Sequence, residues 1–162
     1  MSQIKLLAAK RTPPYRILPT IKNKLLYQTV IAHLSNRSTS TSKHNKAKLA
    51  WIGDNTWNFL VRETLLKKFP NETIAKLAKI QDTLISRKYH AELAKEQLSQ
   101  LVVNHCKENL RENINVLGEM FECYIGALEC EIGKKNTRKI CKVLINEDNR
   151  HLFDIYWIFD GL

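Results

Sequence analysis

Apolar residues recur along this chain with a period near 3.6, and no stretch alternates convincingly with period two, so the pattern predicts helices. Residues 21–34 carry Leu25, Leu26, Thr29, Val30 and His33 on one stripe. Residues 55–69 do the same with Trp57, Leu60, Val61, Thr64, Leu65 and Phe69, and Pro70 stops that helix. The pattern repeats over 73–84 (Ile74, Leu77, Ile80, Leu84) and 86–101 (Tyr89, Leu93, Leu98). Residues 114–132 form the most apolar segment, with Leu117, Met120, Phe121, Tyr124, Ile125 and Leu128, and belong at the centre of the core. Two shorter helices, 136–145 and 151–159, close the chain. The polar run 36–44 has the composition of an exposed loop. Pro13, Pro14 and Pro19 exclude a continuous helix over residues 1–20. The expected fold class is all-α, with a Pro-rich arm over residues 1–21 and one helical domain over 22–162.

Charge divides the chain differently from hydropathy. The 162 residues carry a formal charge of +10, yet residues 1–53 hold ten basic residues and no acid. Beyond them, sixteen basic residues balance all sixteen acids. A uniformly basic protein is excluded, and a near-neutral body with a cationic front remains. That front, made of Lys5, Lys10, Arg11, Arg16, Lys22, Lys24, Arg37, Lys43, Lys46 and Lys48, suits a polyanion such as RNA. Being acid-free, its beginning also suits an organelle transit segment. No run approaches 18 uncharged apolar residues, so no membrane span is expected, and the secretory pattern is missing. Cys106, Cys123, Cys130 and Cys141 form no CxxC pair. Cys123 and Cys130 lie about 10 Å apart along one expected helix, too far for a disulfide, so reduced and mostly buried thiols are expected.

Two acidic features could carry chemistry. Asp54 follows Gly53 at the expected head of a helix, where an aspartate is a good N-cap. Glu119 and Glu122 share a face of the most apolar helix, flanked by Gly118 and Gly126. Carboxylates on a core helix are costly unless paired, hydrogen-bonded or bound to a cation. Spacing alone leaves a salt-bridged or solvated face and a Mg²⁺ site both open. His33 and His90 have no acid at a catalytic spacing and read as packing or surface histidines.

Several segments in order resemble the ribonuclease III domain. Leu49-Ala-Trp-Ile-Gly-Asp54 with the following Phe59-Leu-Val61 and Lys68-Phe-Pro70 is similar to that family's "ERLEFLGD" motif and the helix ending in "KFP". Leu84-Ile-Ser86 and Leu93-Ala94 resemble its "LVS…LAEIA" segment, and residues 118–127 its "ADAFEALIGA" helix. Ile31-Ala-His-Leu-Ser35 is similar to "LTHRS". The likeness covers residues 22–145, with a shortened stretch around 102–113. It implies a site in which four carboxylates hold Mg²⁺ and cleave double-stranded RNA, and Asp54, Glu119 and Glu122 match three of them. Ala47 and Ala50 stand at both glutamate positions of the first motif, Ala50 in place of the fourth metal-site carboxylate.

Those alanines, the acid-free front and the few residues left for a double-stranded-RNA-binding domain lead to a first expectation. The chain reads as an RNA-binding structural protein with a degenerate ribonuclease III fold, a component of the mitochondrial large ribosomal subunit and not an enzyme. The alternative is a Mg²⁺-dependent double-stranded-RNA endonuclease acting as a homodimer, in a mitochondrial, cytoplasmic or nuclear setting. A structural protein would need no cofactor; a nuclease would need Mg²⁺. The resemblance implies a dimer, with another copy or a related chain, formed through the first-motif helix. Trp51 and Trp57 are the candidate contacts, with a core position as the other reading of Trp57.

Overall fold

The computed structural model describes residues 17–32 and 40–147, among which every regular element is helical. In chain order these are α1 (Lys24–Ile31), α2 (Ser40–Lys68), α3 (Ile74–Leu84), α4 (Arg87–Gln97), α5 (Ser99–His105), a 3-10 turn (Glu108–Leu110), α6 (Ile114–Ile132) and α7 (Lys134–Glu147). The all-α expectation holds, and the expected helix over 151–159 lies outside the described residues.

Local chemistry sets most of the boundaries. Thr73 and Ser86 cap α3 and α4, their hydroxyls accepting from the amides of Lys76 and Tyr89. Asn113 Oδ1 accepts from the Asn115 and Val116 amides at the start of α6, at 3.0 and 3.1 Å. Gly133, at φ 82°, takes the positive-φ conformation that ends α6 and lets α7 begin. The expected single helix over 86–101 is two helices. Leu98 leaves helical geometry (φ −120°, ψ 25°), and the chain turns to bury Leu101 and Val102.

The α6 helix is the axis of the body, with residues 120–128 buried without interruption. It packs along α2 on one side and α4 on another, with α1 and α7 at its edges. Trp57 fills the centre: it is fully buried, stands edge-on to Phe121, and donates its indole N–H to the Leu84 carbonyl at 3.0 Å. It is a core residue, the second of the two readings its apolar stripe left open. Trp51, on the same helix, is 72% exposed.

The main departure from expectation is α2. It runs 29 residues, about 43 Å at 1.5 Å per residue, and reaches back to Ser40 through half of the expected loop. Asp54 is therefore in mid-helix and caps nothing. Gly53 does not break the helix but lets it touch α6: a Cβ there would collide with the Glu122 carbonyl, and one on Gly126 with the Leu49 carbonyl. The two glycines bring the backbones of α2 and α6 together at the level of the acidic residues.

Residues 17–21 dock on the body. Leu18 and Ile21 are buried, Gln97 accepts from the Ile17 amide at 2.8 Å, and Tyr124 donates to the Pro19 carbonyl at 2.7 Å. Leu25, expected on the apolar stripe of α1, is 71% exposed, whereas Thr29 and Val30 face the core. All four cysteines are free, with Cys130 exposed and the other three buried. Burial pushes the Cys123 and Cys141 thiols up to about 12.

Candidate active site

The close α2–α6 approach opens a cleft of about 510 Å³ lined by Asp54, Glu119, Glu122, Arg87, Ala47 and Ala50, with Trp51 and Ile85 at its apolar edge. The three acids read from the sequence thus meet at one cavity. Glu119 and Glu122 come from successive turns of α6, and Asp54 comes from the facing stretch of α2. The two alanines line the same space, so the carboxylates missing from the motif are missing from this cleft.

Each acid has a different electrostatic setting. Glu122 is buried and bound twice: Arg87 Nη1 donates to Oε2 and His90 Nδ1 to Oε1, both at 2.9 Å. A carboxylate only accepts, so the proton of that His90 contact sits on Nδ1. His90 is wholly buried, edge-on to Trp57. Glu119 pairs through Oε2 with Lys46 Nζ at 2.7 Å. Asp54 accepts from the Asn58 side chain at 3.3 Å. Burial, and then the Glu122 charge, push its carboxyl above the ordinary range. Burial also pulls the Lys46 ammonium below its ordinary value, with Glu119 opposing. Three carboxylates and two cations leave a formal charge of minus one around the cleft.

Asp54, His90 and Glu122 each offer a ligand atom, all within 4.8 Å of one another. Two of the three are carboxylate oxygens, the donors a hard divalent cation such as Mg²⁺ takes. His90, whose Nδ1–H is engaged by Glu122, orients that ligand rather than binding the ion. Ala50 removes one donor that such a site would otherwise use.

Several expectations change here. Lys46, expected to face RNA, is 3% exposed and committed to Glu119. Lys22, Lys24 and Lys48 are exposed. Lys5, Lys10, Arg11, Arg16 and Arg37 lie outside the described residues, and the Lys43 side chain outside the described side chains. His90, read as a packing or surface residue, is packed against Trp57 and Phe121 and in addition touches the central acid of the cleft. Arg87 carries no local signal in the sequence. His90 shares the α4 stripe of Leu93, Ala94 and Gln97, which marks it as inward-facing without saying what it touches.

A family model for the ribonuclease III domain matches residues 47–133, more than half of the chain and both acidic segments. The chain belongs to the ribonuclease III domain family. Ribonuclease 3 of Wolinella succinogenes is 28% identical over 131 residues, which cover 78% of this chain and 53% of that protein. The chain spans about half the length of the curated relatives it matches. The nuclease domain of ribonuclease III from Campylobacter jejuni, described for flexibility in a region involved in dimer formation, aligns with TM-score 0.64. That match is 25% identical and covers 81% of this chain and 92% of that one. Dicer from Pichia stipitis aligns with TM-score 0.63 at 27% identity, covering 86% of this chain and 61% of that one. These likenesses run to nucleases. They correct the first expectation, of a degenerate ribosomal scaffold that is not an enzyme, in favour of its alternative.

Proposed function

We propose that this chain is a Mg²⁺-dependent endonuclease that cleaves double-stranded RNA as a homodimer. The observation that carries the reading is the convergence of Asp54, Glu119 and Glu122 on one cleft in a ribonuclease III domain. In this reading the three carboxylates hold the metal. Arg87 and His90 fix the rotamer of Glu122, so that its two oxygens keep their direction as the cleft fills. Bound there, Mg²⁺ would supply an acidified water and offset charge on the phosphodiester. The exposed Lys22, Lys24 and Lys48, with the basic residues of the arm, would neutralise RNA backbone without reading sequence.

The dimer reading has its own support. Trp51, Phe59 and Leu66 are exposed along the outer face of α2, where a soluble helix would ordinarily be polar. Beside them is a second cleft of about 550 Å³, lined by Trp51, Phe59, Arg62, Lys134 and Arg138. The Arg138 guanidinium lies 4.4 Å over the Phe59 ring. Trp51 borders both clefts, so a partner seated on this face would border the acidic cleft as well.

The test is cleavage of long double-stranded RNA in Mg²⁺ or Mn²⁺ by the purified chain and its Glu122→Gln variant. Cleavage by the parent that drops at least roughly a hundredfold in the variant is expected, since a metal ligand and its water are affected together. No cleavage by the parent at high concentration, or equal cleavage by both, overturns the proposal.

A further inference from the structure

Lys46 is the most unusual group at the acidic cleft. A lysine at the end of a surface-reaching stem ordinarily keeps its ammonium in water. Here the side chain is 4% exposed, and Nζ ends 2.7 Å from Glu119 Oε2, which is itself one third exposed towards the cleft. Lys46 lies one turn before Ala50 on the same buried face of α2, with both residues under 10% exposed. That stretch of α2 therefore brings one cation and one anion, Lys46 and Asp54, to a cleft whose opposite wall brings two anions.

Building on the metal site proposed above, we propose that Lys46 is an internal cation that holds Glu119 in the absence of a divalent ion and sets the metal affinity of the cleft. Two effects act in the same direction. A metal ion that takes Glu119 competes with Nζ for the charge of one carboxylate and weakens the pairing of a buried ammonium. The same ammonium repels a divalent ion a few ångströms away. Lys46 is thus a positioning residue. Without metal it keeps Glu119 ordered and offsets its charge, and the consequence is weaker binding of the cation. Its burial leaves it no direct part in gripping RNA.

The experiment is a Mn²⁺ titration of the full chain, followed by calorimetry or by the electron paramagnetic resonance of free Mn²⁺. It compares the parent with Lys46→Met, Lys46→Arg and Glu119→Gln. Lys46→Met should bind Mn²⁺ at least roughly tenfold more tightly, about 1.4 kcal/mol. Lys46→Arg, which keeps the charge, should stay within about threefold of the parent, and Glu119→Gln should bind more weakly. If Lys46→Met fails to fold by circular dichroism, Lys46→Gln, which keeps a donor for Glu119 without the charge, carries the same expectation. Equal affinity in the parent and the uncharged variant overturns the proposal while leaving the metal site intact. Equal tightening by Met and Arg overturns it too, because packing would then be the cause. Saturable binding by none of the four proteins overturns the metal site itself, and this proposal with it.

Discussion

The two walls of the acidic cleft face each other across a glycine-mediated contact, yet they solve the problem of buried charge in opposite ways. The α6 wall keeps two carboxylates and surrounds them with partners: Arg87 and His90 on Glu122, Lys46 on Glu119. The α2 wall has alanine at 47 and 50 and keeps one carboxylate, Asp54, held by an amide and pressed by the charge of Glu122. Compensated acids stabilise a fold while they wait for a ligand. An acid whose burial outweighs the help of its partners works against the fold until a cation arrives. The cleft combines a stable wall with a strained one, and altering either wall tests whether that division is real.

The largest effect should come from parting the walls. Gly126→Ala puts a Cβ against the Leu49 carbonyl, and a backbone atom cannot swing aside as a side chain would. The variant should lose about 3 kcal/mol or more in urea denaturation. A loss under about 1 kcal/mol would mean that the α2–α6 approach is looser than described.

How much of this was legible in the sequence depended on how far apart the cause and its effect lie in the chain. The bounds of α6 could be read because Asn113 and Gly133 act on the backbone next to them. The caps of α3 and α4 were equally local. The start of α2 is not legible locally, because Gly53 followed by Asp54 resembles a helix boundary. The purpose of Gly53 is tertiary, a close approach to residues some seventy positions away. The three acids could be brought together because a family resemblance carries long-range information that periodicity lacks. Their partners could not. Arg87 and His90 are 35 and 32 positions from Glu122, and Lys46 is one of ten basic residues in a stretch that looked uniformly solvent-facing. Nothing local marks which lysine of such a run turns inward.

A middling effect should follow from refilling the depleted wall. Ala50 is buried at the cleft, one turn from both Lys46 and Asp54. Ala50→Glu adds an oxygen donor where the ribonuclease III motif has one, so the Mn²⁺ affinity of the folded variant should rise by roughly tenfold. Unchanged affinity in a titration would show that the fourth position does not reach the bound ion.

The smallest effect concerns the strained acid, and its sign is the informative part. With its carboxyl raised above the ordinary 3.8, chiefly by burial and next by Glu122, Asp54 binds its proton more tightly in the fold than in the unfolded chain. Its contribution to stability is therefore greatest at low pH and is lost as pH rises from about 3.8 through the raised value. Above that range, with chelator present, the ionised Asp54 costs stability. Asp54→Asn removes that cost while keeping the size of the group, and it should raise Tm by about 1–3 °C at pH 7. The gain should shrink as the pH falls through the raised range towards 3.8, as the parent's own carboxyl regains its proton. A variant less stable than the parent at pH 7, or a gain that does not change with pH, would mean that Asp54 is compensated like its neighbours on α6. In the expected case the same substitution that steadies the chain also removes a metal ligand. Mg²⁺ should then raise the parent's Tm and leave that of the variant nearly unmoved, because binding to the folded state alone is what stabilises it.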